Sequence, residues 1–131
     1  MIIVDTSVWI DYLRDIETPQ TSRLEIEMER NRLAITDLIL CEILQGIRDD
    51  KQYRDTRETL FSLEIFSTGG ANLALEAVDN YRVLRKNGVT VRKTIDCLIA
   101  TFCIVNDHSL LHNDRDFDGF EKELGLQVIH P

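Results

Sequence analysis

The sequence predicts an α/β fold, a three-layer α/β/α sandwich around a central, mainly parallel sheet, and three observations lead there. Short β-branched or aliphatic runs alternate with longer stretches of helical period. That alternation implies right-handed βαβ crossovers and a sheet covered on both faces. The chain has 131 residues, 44% hydrophobic and 29% charged, without a Pro/Gly/Ser-rich linker, which fits a single domain over 1–131 with one core.

Ile2-Ile3-Val4 reads as a strand ending at Asp5, and Ser7 to Leu13 has apolar residues at helical spacing. A second helix is expected over Thr21 to Arg30, followed by a strand at Leu33-Ala34-Ile35. Thr36 is placed to cap a helix from Asp37 to Ile47, which Gly46 weakens or ends. Asp50 to Leu63 is charged and helical in period, Glu64-Ile65-Phe66 reads as strand, and Gly69-Gly70 punctuates before a helix from Asn72 to Lys86. Asn87-Gly88 closes that helix, and Thr94 is expected to cap the next, which runs to about Asn106. Ser109 to His112 reads as strand, Asn113 to Gly119 as a loop with a helical turn, and Leu126 to Ile129 as a final strand. There is no internal repeat and no low-complexity tract.

No apolar run approaches the roughly 20 residues that span a bilayer, and Met1 to Asp5 lacks the basic region of a signal peptide, so a cytoplasmic location is expected. Cys41, Cys97 and Cys103 are odd in number, lack CxxC spacing and lie in apolar stretches, as three reduced, buried small side chains would. A net charge of -8 argues against broad, sequence-independent binding to nucleic acid, which depends on many Lys and Arg contacts to phosphates. Carboxylates gathered in one pocket can nonetheless hold divalent cations that meet a phosphate.

In open α/β sheets, ligands bind beyond the carboxyl ends of the strands. Asp5 and Asp114 follow strand-like runs, while Glu42 and Asp96 lie on helices that can line the same crevice. Asp96 is the most informative, because from Ile95 to Val105 only Asp96 and Thr101 break an otherwise apolar helix. Burying an ionised carboxylate costs several kcal/mol unless it is paired, hydrogen-bonded or bound to a cation. A plain first-turn acid favouring the helix dipole accounts for Asp96 as well. Glu42 follows Leu38-Ile39-Leu40-Cys41 and sits on a largely apolar face, either as a ligand or as an acid reaching solvent from the edge of that stripe. Asp5 equally suits a helix cap, and Asp114, Asp116 and Asp118 equally suit loop acids in water. A magnesium site explains the quartet together, since such an ion takes oxygen ligands and can activate water for in-line attack on a phosphodiester.

Four blocks then carry a resemblance that covers essentially the whole chain. Asp5-Thr6-Ser7-Val8-Trp9-Ile10-Asp11-Tyr12-Leu13, the helical Glu42, Thr94-Ile95-Asp96-Cys97-Leu98-Ile99-Ala100 and Asn113-Asp114-Arg115-Asp116-Phe117 together resemble PIN-domain ribonucleases, and within them the VapC toxins of bacterial toxin–antitoxin pairs. The resemblance implies a metal-dependent endoribonuclease with Asp5, Glu42, Asp96 and Asp114 around Mg²⁺ or Mn²⁺, Asp5 and Asp96 as direct ligands, and Asp116 and Thr6 in support. It further implies a homodimer and a VapB-like antitoxin whose basic tail enters the acidic pocket. His112 departs from the pattern, because many relatives carry Thr or Ser two residues before the late acid. Trp9, Tyr12 and Leu13 suit either a groove for the antitoxin or, more simply, the core. Arg82, Arg85, Lys86, Arg92 and Lys93 precede the Asp96 helix, and Arg92, Lys93 and His112 are the candidates for contacting the RNA substrate; a solvated basic face is the plain reading of the five cations.

Two other classes share part of this pattern. A haloacid dehalogenase-like phosphatase also begins with a strand ending in Asp, but needs a second Asp two residues later, where this chain has Ser7. A non-catalytic, receiver-like binding module with an acidic pocket needs a late strand-end Lys, absent from Ser109 to His112 and from Leu126 to Ile129.

Overall fold

A computed structural model describes all residues, Met1–Pro131. Strands β1 (Ile2–Val4), β2 (Leu33–Thr36), β3 (Glu64–Phe66), β4 (Ser109–Leu111) and β5 (Gln127–Val128) form one sheet in the order β3-β2-β1-β4-β5, with every neighbouring pair parallel. Around it lie helices α1 (Thr6–Leu13), α2 (Pro19–Glu29), α3 (Asp37–Gln45), α4 (Asp50–Phe61), α5 (Gly70–Lys86), α6 (Thr94–Val105) and α7 (Asp118–Leu124), with a 3₁₀ turn at Arg115–Phe117. Successive strand residues point to opposite faces, and Ile3-Val4, all of β2 and Leu110-Leu111 are buried throughout. Both faces of the sheet are therefore covered, as the α/β/α sandwich requires. α5 packs on α6, while α1 packs on α2 and α3, and α3 on α4. No helix is long and apolar enough to cross a membrane.

Several boundaries move for local reasons. Helix α2 starts at Pro19, because Thr18 and Thr21 form a reciprocal capping box and Pro at the first position needs no N–H partner. Thr94 does not cap α6: Lys93 takes that position without a side-chain bond to the backbone, and Thr94 is the first helical residue. β4 stops at Leu111, so His112 belongs to the turn that follows. The helical turn expected in the loop up to Gly119 is the 3₁₀ turn, and α7 already begins at Asp118, where Gly119 lies so near Val89 that a Cβ would sit 2.6 Å from its Cγ1. Cys97 and Cys103 are buried as expected, whereas Cys41 is exposed on the outer side of α3. Trp9 is core, packed edge-on to the half-buried Tyr12 with ring centroids 6.0 Å apart.

One buried acid belongs to the fold and lies outside the acidic quartet. Glu27 is 0% exposed, yet it accepts from Arg23 at 2.9 Å, Arg32 at 2.8 Å and Arg30 at 3.4 Å. Burial pushes its pKa up, but hydrogen bonds from Arg23 and Arg32 outweigh that and hold it below the usual carboxylate range. Because the folded-state pKa is depressed, the ionised Glu27 stabilises the fold above its unfolded pKa, and this contribution disappears as pH falls through the folded value. The arginines are themselves partly exposed, so water screens the cluster. Glu27→Gln is expected to cost about 1–2 kcal/mol in urea unfolding at pH 7, and less at pH 3. An equal cost at both pH values would mean that packing, and not charge, holds this helix end.

Candidate active site

The strand order runs outward from β1 to β3, then returns to place β4 on the other side of β1. Such a reversal opens a crevice beyond the carboxyl ends of the two strands at which it occurs. Val4 is in register with Leu111, and the Asp5 N–H donates to the Leu111 carbonyl at 2.9 Å, so Asp5 and the turn after β4 emerge side by side.

Asp5 caps α1, accepting from the Ser7 N–H at 3.0 Å and the Ser7 hydroxyl at 2.7 Å through Oδ2. Burial raises its pKa, opposed by these two bonds from Ser7. The Ser7 hydroxyl also accepts from the Asn113 N–H at 3.0 Å, and the Asn113 amide donates to Asp11 at 3.3 Å. α1 is thus strapped to the turn after β4. Beside Asp5, the buried Thr6 donates to Glu42 Oε1 at 2.9 Å, drawing α3 to the same crevice. Burial raises the pKa of Glu42 too, and the charge of Asp5 adds to the rise against the pull of the Thr6 bond and Lys93.

Asp96, in the first turn of α6, is only 5% exposed, and its Oδ2 is buried with no hydrogen-bond partner. Burial is the main reason its pKa is pushed up to about 7; the charges of Asp5, Asp114 and Glu42 add to the rise, and Lys93 opposes it. The helix dipole alone does not compensate such a carboxylate. Ligand oxygens of Asp96, Asp114 and Asp116 lie within 4.8 Å of one another. Hard oxygen donors, clustered charge and an orphaned buried carboxylate oxygen together fit a divalent cation. Nothing in the carboxylate set suits a soft metal, and both buried cysteines lie outside it.

Asp114 caps the 3₁₀ turn by accepting from the Asp116 N–H at 2.9 Å, while its own N–H donates to His112 Nδ1 at 3.1 Å. His112 is buried against Phe117, with ring centroids 4.9 Å apart, and burial lowers its pKa despite the acids nearby. Arg92 reaches Asp116 at 3.9 Å, and Arg92 and Lys93 are exposed at the mouth of the crevice. Arg82, Arg85 and Lys86 are solvated on α5, Arg85 lying over the Tyr81 ring at 5.5 Å.

All four acids of the quartet therefore line one crevice with Thr6 and Asp116, but the tight oxygen cluster is Asp96, Asp114 and Asp116, with Asp5 adjacent and locked by Ser7. Ser7 and Asn113 are site residues that sequence reasoning passed over. A serine two positions after a capping Asp signals a local turn bond, but its reach to Asn113 spans 106 residues and has no local signal. With its hydroxyl engaged on both sides, Ser7 cannot act as the acid/base a haloacid dehalogenase-like mechanism needs.

The PIN domain family model matches residues 2–123. The chain is 35% identical over 131 residues to VapC ribonuclease Mb1587 of Mycobacterium bovis and, to the same extent, to Ribonuclease VapC11 of Mycobacterium tuberculosis, covering 98% of this chain and 97% of each relative. Among solved structures, VapBC2 from Rickettsia felis, bound to a DNA fragment from its promoter, contains a chain of the same fold, with a TM-score of 0.75 at 21% identity and 98% coverage of both chains.

Proposed function

Because this chain belongs to the PIN-domain family, and within it to the VapC ribonucleases, we propose that it is a Mg²⁺- or Mn²⁺-dependent endoribonuclease, the toxin of a type II toxin–antitoxin pair acting in the cytoplasm. The observation that carries the metal-dependent reading is the buried, partnerless Oδ2 of Asp96 facing a crevice of further carboxylates.

Asp96, Asp114 and Asp116 would hold the ion, with Asp5 beside them and Glu42 held in place by Thr6. When bound, the ion lowers the pKa of a water and offsets negative charge on the phosphate during in-line attack. Ser7 fixes the Asp5 carboxylate in one orientation, so no reorganisation is needed as the reaction begins. Arg92 and Lys93 offer cations at the mouth for the flanking RNA phosphates. The Arg92 contact to Asp116, at 3.9 Å from an exposed guanidinium to a half-buried carboxylate, is long enough to exchange for a phosphate.

The same carboxylate crevice suits a basic partner, and a VapB-like antitoxin would place a cationic side chain there, occluding the metal and the RNA together. We assign the working form as a homodimer, as the family implies. Purified protein incubated with cellular RNA is expected to give discrete internal cuts in Mg²⁺ or Mn²⁺, none with chelator, and none after addition of the antitoxin encoded beside it. Cleavage that persists in excess chelator would overturn the reading.

A further inference from the structure

We propose that His112 is a positioning residue: its neutral ring, acting through Nδ1 as a hydrogen-bond acceptor, sets the Asp114–Asp116 arm of the metal cluster. This rests on the metal-site reading above.

The Asp114 N–H points at His112 Nδ1 from 3.1 Å, which requires that nitrogen to be unprotonated and the ring proton to sit on Nε2. The ring also packs on Phe117, the last residue of the 3₁₀ turn. One side chain therefore holds both ends of the turn that carries Asp114 and Asp116. Within the turn, the Asp114 carboxylate accepts from the Asp116 N–H and the Asp114 carbonyl accepts from the Phe117 N–H at 3.1 Å, so a displacement of the Asp114 backbone carries both acids with it.

The other ring nitrogen argues that His112 is more than a filler. Nε2 is buried with no hydrogen-bond partner, an arrangement that costs stability. An apolar ring packed on Phe117 would avoid that cost, so what histidine adds at this position is the acceptor. The imidazole is long enough to offer that acceptor to the Asp114 N–H while also reaching Phe117.

The variants His112→Phe and His112→Asn separate acceptor from packing. Phenylalanine keeps the ring and removes the acceptor; asparagine removes the ring and offers Oδ1 near the place of Nδ1. Calorimetric Mn²⁺ titration of the full-length proteins is expected to give about tenfold weaker binding for His112→Phe, the usual scale for losing a group that orients a metal ligand, and binding within about threefold of wild type for His112→Asn. Thermal melting of metal-free His112→Phe should stay close to wild type, since the orphaned Nε2–H is gone while the Asp114 N–H loses its acceptor. Wild-type Mn²⁺ affinity in His112→Phe overturns the proposal, as does equal weakening in both variants. If His112→Phe does not fold, the asparagine variant decides, and tenfold weakening there overturns it. Absence of Mn²⁺ binding by the wild-type protein instead rejects the metal-site reading itself.

Discussion

Asp96→Asn is expected to abolish RNA cleavage, by about a thousandfold or more, while making the metal-free protein more stable at pH 8. The first effect follows from removing the carboxylate on which the proposed ion depends. The second follows from its pKa: the group is pushed up to about 7 in the fold, by burial first and by Asp5 second, from an ordinary 3.8. A carboxyl whose folded-state pKa is raised stabilises the fold only while protonated, so its contribution is lost as pH climbs from about 4 through 7. At 1.36 kcal/mol per pKa unit, the ionised form above pH 7 costs the fold about 4 kcal/mol as a ceiling. Allowing for the asparagine amide being buried as well, a gain of about 1–2 kcal/mol is expected, or a melting temperature higher by roughly 3–8 °C. The gain should shrink toward zero at pH 5 and should also vanish when the wild type is saturated with Mg²⁺. A destabilised but folded Asp96→Asn protein at pH 8 would show that Asp96 is held by the protein alone.

The second large effect concerns metal affinity and protons. A divalent cation binds the ionised carboxylate, so below pH 7 it must displace the proton from Asp96. Apparent Mn²⁺ affinity is expected to fall by about tenfold per pH unit below 7 and to level off above it, with close to one proton released per ion at pH 6. Titrations in buffers of different ionisation enthalpy count that proton directly. A flat affinity between pH 5.5 and 8 would separate the raised pKa from the binding site, as would the same slope in Asp96→Asn.

What was legible in the sequence was what local chemistry determines. β1 is fully apolar and β2 is apolar up to Thr36, which caps the next helix, while α6 is so apolar that its one carboxylate, Asp96, marks the site. The resemblance added Glu42, Asp5 and Asp114, which on their own are indistinguishable from an edge acid, a cap and a loop acid. In the sequence Asp116 stands only as a supporting acid, yet the fold of a single 3₁₀ turn puts its oxygens within the tight cluster. A contact made only by distant pairing was illegible: that of Ser7 to Asn113. Glu27 was missed for a related reason. Its Arg23 and Arg30 partners stand one helical turn away on either side, but Arg32 closes the cage only because the chain turns from α2 into β2.

The central strand β1 is made well before its neighbour β4, with six helices and two strands between them along the chain. Until β4 pairs with β1, Asp5 has no Leu111 carbonyl to meet, Ser7 has no Asn113, and the oxygens of Asp114 and Asp116 are missing from the crevice. A nascent chain on the ribosome can therefore have made most of its core-forming segments without possessing a nuclease. The strand order works as a built-in delay: the crevice that would act on RNA is complete only once the segment after α6 has been made and paired with β1.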